Sequence, residues 1–92
     1  MGKGLTEKIA VEIKSFVGAS FMKDLHYAVG QFTNHKILMK QQEPERTLYL
    51  AVPNAVYTRK FSVAGVKLIC KEAGLRLISY DQVNETIVTW EK

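Results

Sequence analysis

Residues 8–14 read Lys8-Ile9-Ala10-Val11-Glu12-Ile13-Lys14. Side chains alternate across a strand, so Ile9, Val11 and Ile13 share one face while Ala10, Glu12 and Lys14 share the other. One face is wholly apolar. The other holds a carboxylate and an ammonium side by side at its end.

Residues 15–20, with Gly18, read as a loop. A long helix is predicted over 20–41, with Ser20 as its N-cap and Phe21, Leu25, Ala28, Phe32 and Met39 as its apolar stripe. Gly30 lies mid-helix, and Pro44 marks the end of the segment. Residues 47–52 form a short run of β-branched, aromatic and aliphatic side chains, which suits a central strand covered on both faces. Pro53-Asn54 ends that strand and caps a short helix. A further helix is predicted over about 63–73, with Val66, Ile69, Cys70 and Ala73 inward and Gly74 as its cap. Strands over 75–80 and 86–91 are joined by a hairpin loop at 81–85. The order strand, helix, strand, helix, strand, strand predicts an α/β fold, a small mixed sheet flanked by helices. Helical crossovers make the first three strands parallel, and the hairpin adds an antiparallel one.

With 92 residues the chain has room for one small domain, taken as 1–92. Thirteen Lys+Arg against nine Asp+Glu leave a net charge of +4, a balance that suits a nucleic-acid partner without demanding one. Cys70 is the single cysteine, which excludes an internal disulfide and a zinc-finger spacing and fits a reducing cytoplasm. No apolar run approaches the ~20 residues of a membrane span, and the first residues lack the apolar stretch of a signal peptide.

The chemistry-bearing feature is Glu12-x-Lys14. A carboxylate can hold the hard Mg²⁺ ion, and a lysine beside it can orient water or stabilise charge on a phosphodiester. A solvent-facing ion pair on a half-exposed strand is the plainer reading of the same tripeptide. Lys36, Lys40, Arg59, Lys60, Lys67 and Lys71 make the helices basic, as phosphate contacts or as a solvated face. His26 and His35 are nine residues apart, which is the wrong spacing for a metal pair on a helix. Cys70 is expected to be a buried, inert thiol. Tyr49, Tyr57, Tyr80 and Trp90 are expected in or beside the core.

The segments IAVEIKSF (9–16), GASF (18–21), AVGQF (28–32), EPERTLYLAVP (43–53), GLRLISYD (74–81) and ETIVTWE (85–91) occur in the order found in the XisH family, the fdxN element excision controlling factors of cyanobacteria. The sequence resembles the C-terminal portion of that family over about residues 7–91. The resemblance implies a restriction-endonuclease-like core of the PD-(D/E)XK type, ordered β-α-β-α-β-β and lacking the family's N-terminal helix and Asp-bearing strand. It maps the motif's carboxylate onto Glu12, as a metal ligand and catalytic residue, and its lysine onto Lys14. Gln31 occupies the place of a supporting helix glutamine. His35 stands where a tyrosine is usual, one helical turn on. No aspartate here matches the missing one, since Asp24 and Asp81 lie elsewhere, and Glu7 would fall on the strand face opposite Glu12.

The implied cofactor is Mg²⁺ and the implied activity a Mg²⁺-dependent endonuclease. The implied role is programmed excision of a DNA element by site-specific recombination. The implied partners are DNA, a XisI-family protein and the excision recombinase, with no membrane. One carboxylate makes a poor Mg²⁺ site, and that incomplete motif favours the alternative, a non-catalytic DNA- or protein-binding accessory factor on a degenerate nuclease scaffold. The apolar side chains of the first strand are expected on an exposed edge, favouring a homodimer. A bare oligomerising domain is the third alternative.

Overall fold

The alternating stretch forms strand β1 (Lys8–Ile13) at one edge of a four-stranded sheet. In this computed structural model residues 8–91 are described, so Glu7 lies outside the described residues. β1 is followed by α1 (Phe21–Gln42), β2 (Arg46–Pro53), α2 (Asn54–Lys60), α3 (Ala64–Glu72), β3 (Leu77–Asp81) and β4 (Thr86–Trp90). The sheet order is β1-β2-β3-β4; the pairs β1–β2 and β2–β3 are parallel and β3–β4 is antiparallel. The predicted mixed sheet and its strand directions are therefore what the chain adopts.

Local chemistry explains the boundaries. The Ser20 side chain accepts a hydrogen bond from the Lys23 N–H at 3.2 Å, satisfying one of the free donors that open α1. At the end of α3, Gly74 has φ of +70°. Its N–H bonds the Lys71 carbonyl and the Leu75 N–H bonds the Cys70 carbonyl, the paired contacts of a Schellman cap. Leu75 is thus spent on ending the helix, and β3 starts at Leu77, two residues later than the hydrophobic pattern suggests. After β3, Asp81 accepts from the N–H groups of Val83 and Asn84, which turns the chain into β4. Those bonds hold the Asp81 carboxyl below the ordinary carboxylate range.

The larger of two buried clusters lies between the helices and one face of the sheet. Leu25, Ala28 and Phe32 of α1 and Val66 and Cys70 of α3 pack with Phe61 onto Leu48, Leu50, Val52 and Leu77. These strand residues share one sheet face, and Ala10 of β1 joins them. On the opposite face Tyr49, Ala51 and Ile78 are buried against Ile9 and Tyr80. The ring of Trp90 meets that of Tyr49 edge-on at 5.4 Å. β2 is thus buried on both faces as its sequence suggests, but only one of its covers is helical. Among the described residues no helix packs on the second face, and Val11, Ile13 and Ile87 are each more than two-fifths exposed there.

Asn54 does not cap α2. Pro53 occupies the cap position, and the Asn54 side-chain oxygen accepts instead from the hydroxyl of Ser79, the one fully buried polar side chain among the described residues. Cys70 is buried, as expected, and burial together with the nearby Glu91 charge pushes its thiol up to about 11.

Candidate functional site

Glu12 and Lys14 project from the end of β1 toward α1. Lys14 lies one residue past the strand, but its N–H still bonds the Ala51 carbonyl at 3.0 Å, so the ladder holds its backbone in register. Beyond it, Phe16 takes the left-handed conformation (φ 56°), which costs a non-glycine residue some strain. Ring contacts to Phe21 at 5.4 Å and to Phe61 at 5.5 Å hold it there. That aromatic knot fixes the turn leading from the strand into α1.

The helix face above β1 is a ladder at i, i+4 spacing: Tyr27, Gln31 and His35. Each rung meets the motif. The Lys14 ammonium donates to the Gln31 side-chain oxygen and sits 5.3 Å from the centre of the Tyr27 ring. His35 Nδ1 lies 2.9 Å from Glu12 Oε2. The structure therefore brings Glu12, Lys14 and Gln31 together on one side of the sheet. It also adds two residues. His35 was readable from its spacing to Gln31, but nothing in the sequence said that it would reach Glu12. Tyr27 had no signal of its own.

The Glu12 carboxylate is only 14 % exposed, and its Oε1 is buried with no hydrogen-bond partner. An orphaned buried oxygen is what a metal ligand looks like before its ion arrives. The donor set is nevertheless too small for Mg²⁺. Its other oxygen is engaged by an imidazole, and no group of three or more His, Cys, Asp or Glu side chains that could hold a metal occurs among the described residues. Mg²⁺ gives up hydration water reluctantly, and one carboxylate oxygen competes poorly with that.

The basic residues divide between two ends of the sheet. Arg59 and Lys60 close α2, and the Lys60 ammonium lies 5.8 Å from the Phe21 ring, near the turn after Lys14. Lys36 and Lys40 lie on the far half of α1, next to the start of β2.

The sequence profile of the XisH protein matches residues 3–88. The chain belongs to the XisH family. Two XisH-type crystal structures share its fold. An XisH family protein from Nostoc punctiforme PCC 73102 superposes with a TM-score of 0.90 at 39% identity, over 94% of this chain and 68% of that one. A fdxN element excision controlling factor protein from Anabaena variabilis gives 0.89 at 39% identity, over 94% of this chain and 67% of that one. No curated protein gives a match. The XisH chain is thus similar to solved relatives over nearly all of its own length, and about a third of each relative has no counterpart in it. No helix among the described residues is long and apolar enough to cross a membrane.

Proposed function

We propose that this chain acts as an excision controlling factor of the XisH kind, working with DNA as a binding and assembly protein rather than as a self-sufficient nuclease. The supporting observation is the state of Glu12. The carboxylate that a nuclease would turn toward a divalent ion is turned toward His35 at 2.9 Å, and Lys14 is held by Gln31. These contacts dock α1 on the edge strand. The net charge of +4 supplies attraction to a phosphate backbone. The reducing cytoplasm is the compartment that goes with this role, and a XisI-family protein and the excision recombinase are its protein partners.

The nuclease reading, on a restriction-endonuclease-like core, stays alive through one observation, the partnerless Oε1 of Glu12. It requires acidic ligands beyond those that the described residues bring to Glu12. A second copy is the first candidate for self-association. Across a twofold axis at Ala10, antiparallel pairing of two β1 edges sets Lys8 opposite Glu12 and Ile9 opposite Val11, matching charge with charge and apolar with apolar.

DNA retention on a filter, measured with and without Mg²⁺ or Mn²⁺ and over a salt series, tests the proposal beside a plasmid-nicking assay. Retention that ignores metal, falls with salt and survives Glu12→Ala is expected. Metal-dependent nicking that vanishes in both Glu12→Ala and Lys14→Ala would replace this reading with the nuclease one. A chain that neither retains nor nicks DNA is an interaction domain.

A further inference from the structure

We infer that the cleft between the end of α1 and the start of β2 is a binding site for a nucleotide unit, a phosphate carrying a flat ring. This deepens the DNA reading above by naming where a strand would be gripped.

The cavity has a volume of about 200 Å³. Met39 and Pro44, backed by the core residues Phe32 and Leu48, form an apolar floor. Four cationic side chains surround it, Lys36, Lys40, Arg46 and Arg76, and no acidic residue lines it. They come from three different parts of the chain: α1, the first residue of β2, and the segment leading into β3. Such convergence is not the spacing of a single solvated helix face.

Arg46 is already engaged. Its Nε bonds Glu43 at 2.5 Å and its NH1 bonds the Ile9 carbonyl at 3.1 Å, which fixes its plane at the cavity wall. The other three have no carboxylate partner among the described residues. Lys36 is aimed at the cleft wall: a Cβ placed on Gly74 would stand 3.0 Å from its Nζ. Gly74, required by the helix cap, thereby leaves room for an ammonium. Three uncompensated cations around one concavity repel each other, and an anion relieves that repulsion.

The anion's chemistry follows from the floor. Inorganic phosphate would satisfy the rim and leave the apolar surface wet. A nucleotide fills both, with its ring on the floor and its phosphate among the cations. Lys8 and Arg46 are paired neighbours at the starting ends of β1 and β2, whereas Lys14 lies past the far end of β1. By strand rise the cleft end of the sheet is therefore about 13 Å from Glu12 and about 20 Å from Lys14, and none of the side chains around Glu12 lines the cleft.

Amide NMR shifts of the intact chain, titrated with deoxythymidine 5′-phosphate, thymidine and inorganic phosphate, are the first measurement. Saturable shifts at Lys36, Thr47 and Gly74 are expected with the nucleotide, at least tenfold weaker with either fragment. The combined Lys36→Ala, Lys40→Ala and Arg76→Ala variant should weaken nucleotide binding at least tenfold, and the single Arg76→Gln variant several-fold. Lys23→Ala, on the exposed start of α1, should change nothing.

A 5′-phosphorylated single-stranded oligonucleotide separates the sources. Tighter binding than the free nucleotide identifies a DNA strand as the ligand, and the reverse identifies a free nucleotide. With the strand, loss of this phosphate contact should lower the log–log salt slope by ~0.7. Equal binding of phosphate and nucleotide, or no loss in the triple variant with its fold intact by circular dichroism, would overturn the inference. DNA retention that persists in that variant removes the cleft and leaves the proposed function standing. Nucleotide binding without DNA retention does the converse.

Discussion

His35 Nδ1 stands 2.9 Å from Glu12 Oε2, and through that contact the middle of α1 is fastened to the outermost strand. Glu12 is mostly buried, so the contact answers a desolvation problem as well as making an attachment. Without the imidazole both carboxylate oxygens would lack a partner among the described residues.

Removing the imidazole should therefore destabilise the fold. His35→Ala is expected to cost about 1–2 kcal/mol, in the range for stranding a buried acceptor. Combined with Glu12→Gln, the loss should be smaller than the sum of the two single changes. Urea unfolding of the four proteins measures the coupling, and strictly additive losses would mean that the contact contributes nothing in solution.

On the helix-free face, Ile13 is 67% exposed beside Val11 on the edge strand. A lysine on such an edge discourages strand addition. Ile13→Lys should shift concentration-dependent self-association toward monomer, with thermal stability changed by no more than about 0.5 kcal/mol. Sedimentation velocity over a concentration series would show it. An unchanged distribution would exclude the β1 edge from self-association.

Gly74→Ala imposes a Cβ on a left-handed residue and crowds the Lys36 ammonium. The ammonium can swing aside, so the backbone conformation dominates the cost, roughly 1 kcal/mol. Gly30→Ala should act in the opposite direction, since a Cβ there meets nothing within 4 Å and alanine is the better helix former by roughly 1 kcal/mol. Thermal melts of the two variants should move to opposite sides of the parent.

Tyr57 donates its hydroxyl to Glu91, and that bond, with burial and the carboxylate charge, pushes the phenol up to about 12. The folded chain therefore holds this proton more tightly than the unfolded chain, whose tyrosine ionises near 10. Its contribution is complete below pH 10 and is lost as pH rises toward 12. Cys70, pushed from 9.0 to about 11, acts in the same direction slightly earlier. Stability should fall from about pH 9 upward, and less steeply in Tyr57→Phe. Urea midpoints taken between pH 8 and 11.5 test the difference.

Much of the architecture was legible because local signals agreed with one another. Ser20 caps where it should, Pro44 follows the end of α1, and the period-2 pattern of residues 8–14 assigns Glu12 and Lys14 to one face. The missed boundary, Leu77 in place of Leu75, arose because an apolar residue after a glycine serves a helix cap as readily as a strand. The placement of all helices on one side was not legible. Periodicity gives each element a face, and only tertiary packing decides which faces are covered. The site was half legible for the same reason. Spacing put Gln31 and His35 on one stripe, but their meeting with Lys14 and Glu12 depends on how α1 crosses β1.

The strands are laid down in space in the order in which they are synthesised. As the chain leaves the ribosome, β2 finds β1 already delivered, β3 finds β2, and β4 needs only to fold back on β3. No late segment has to be inserted between earlier ones, so assembly can proceed by accretion from one edge without undoing any pairing already made.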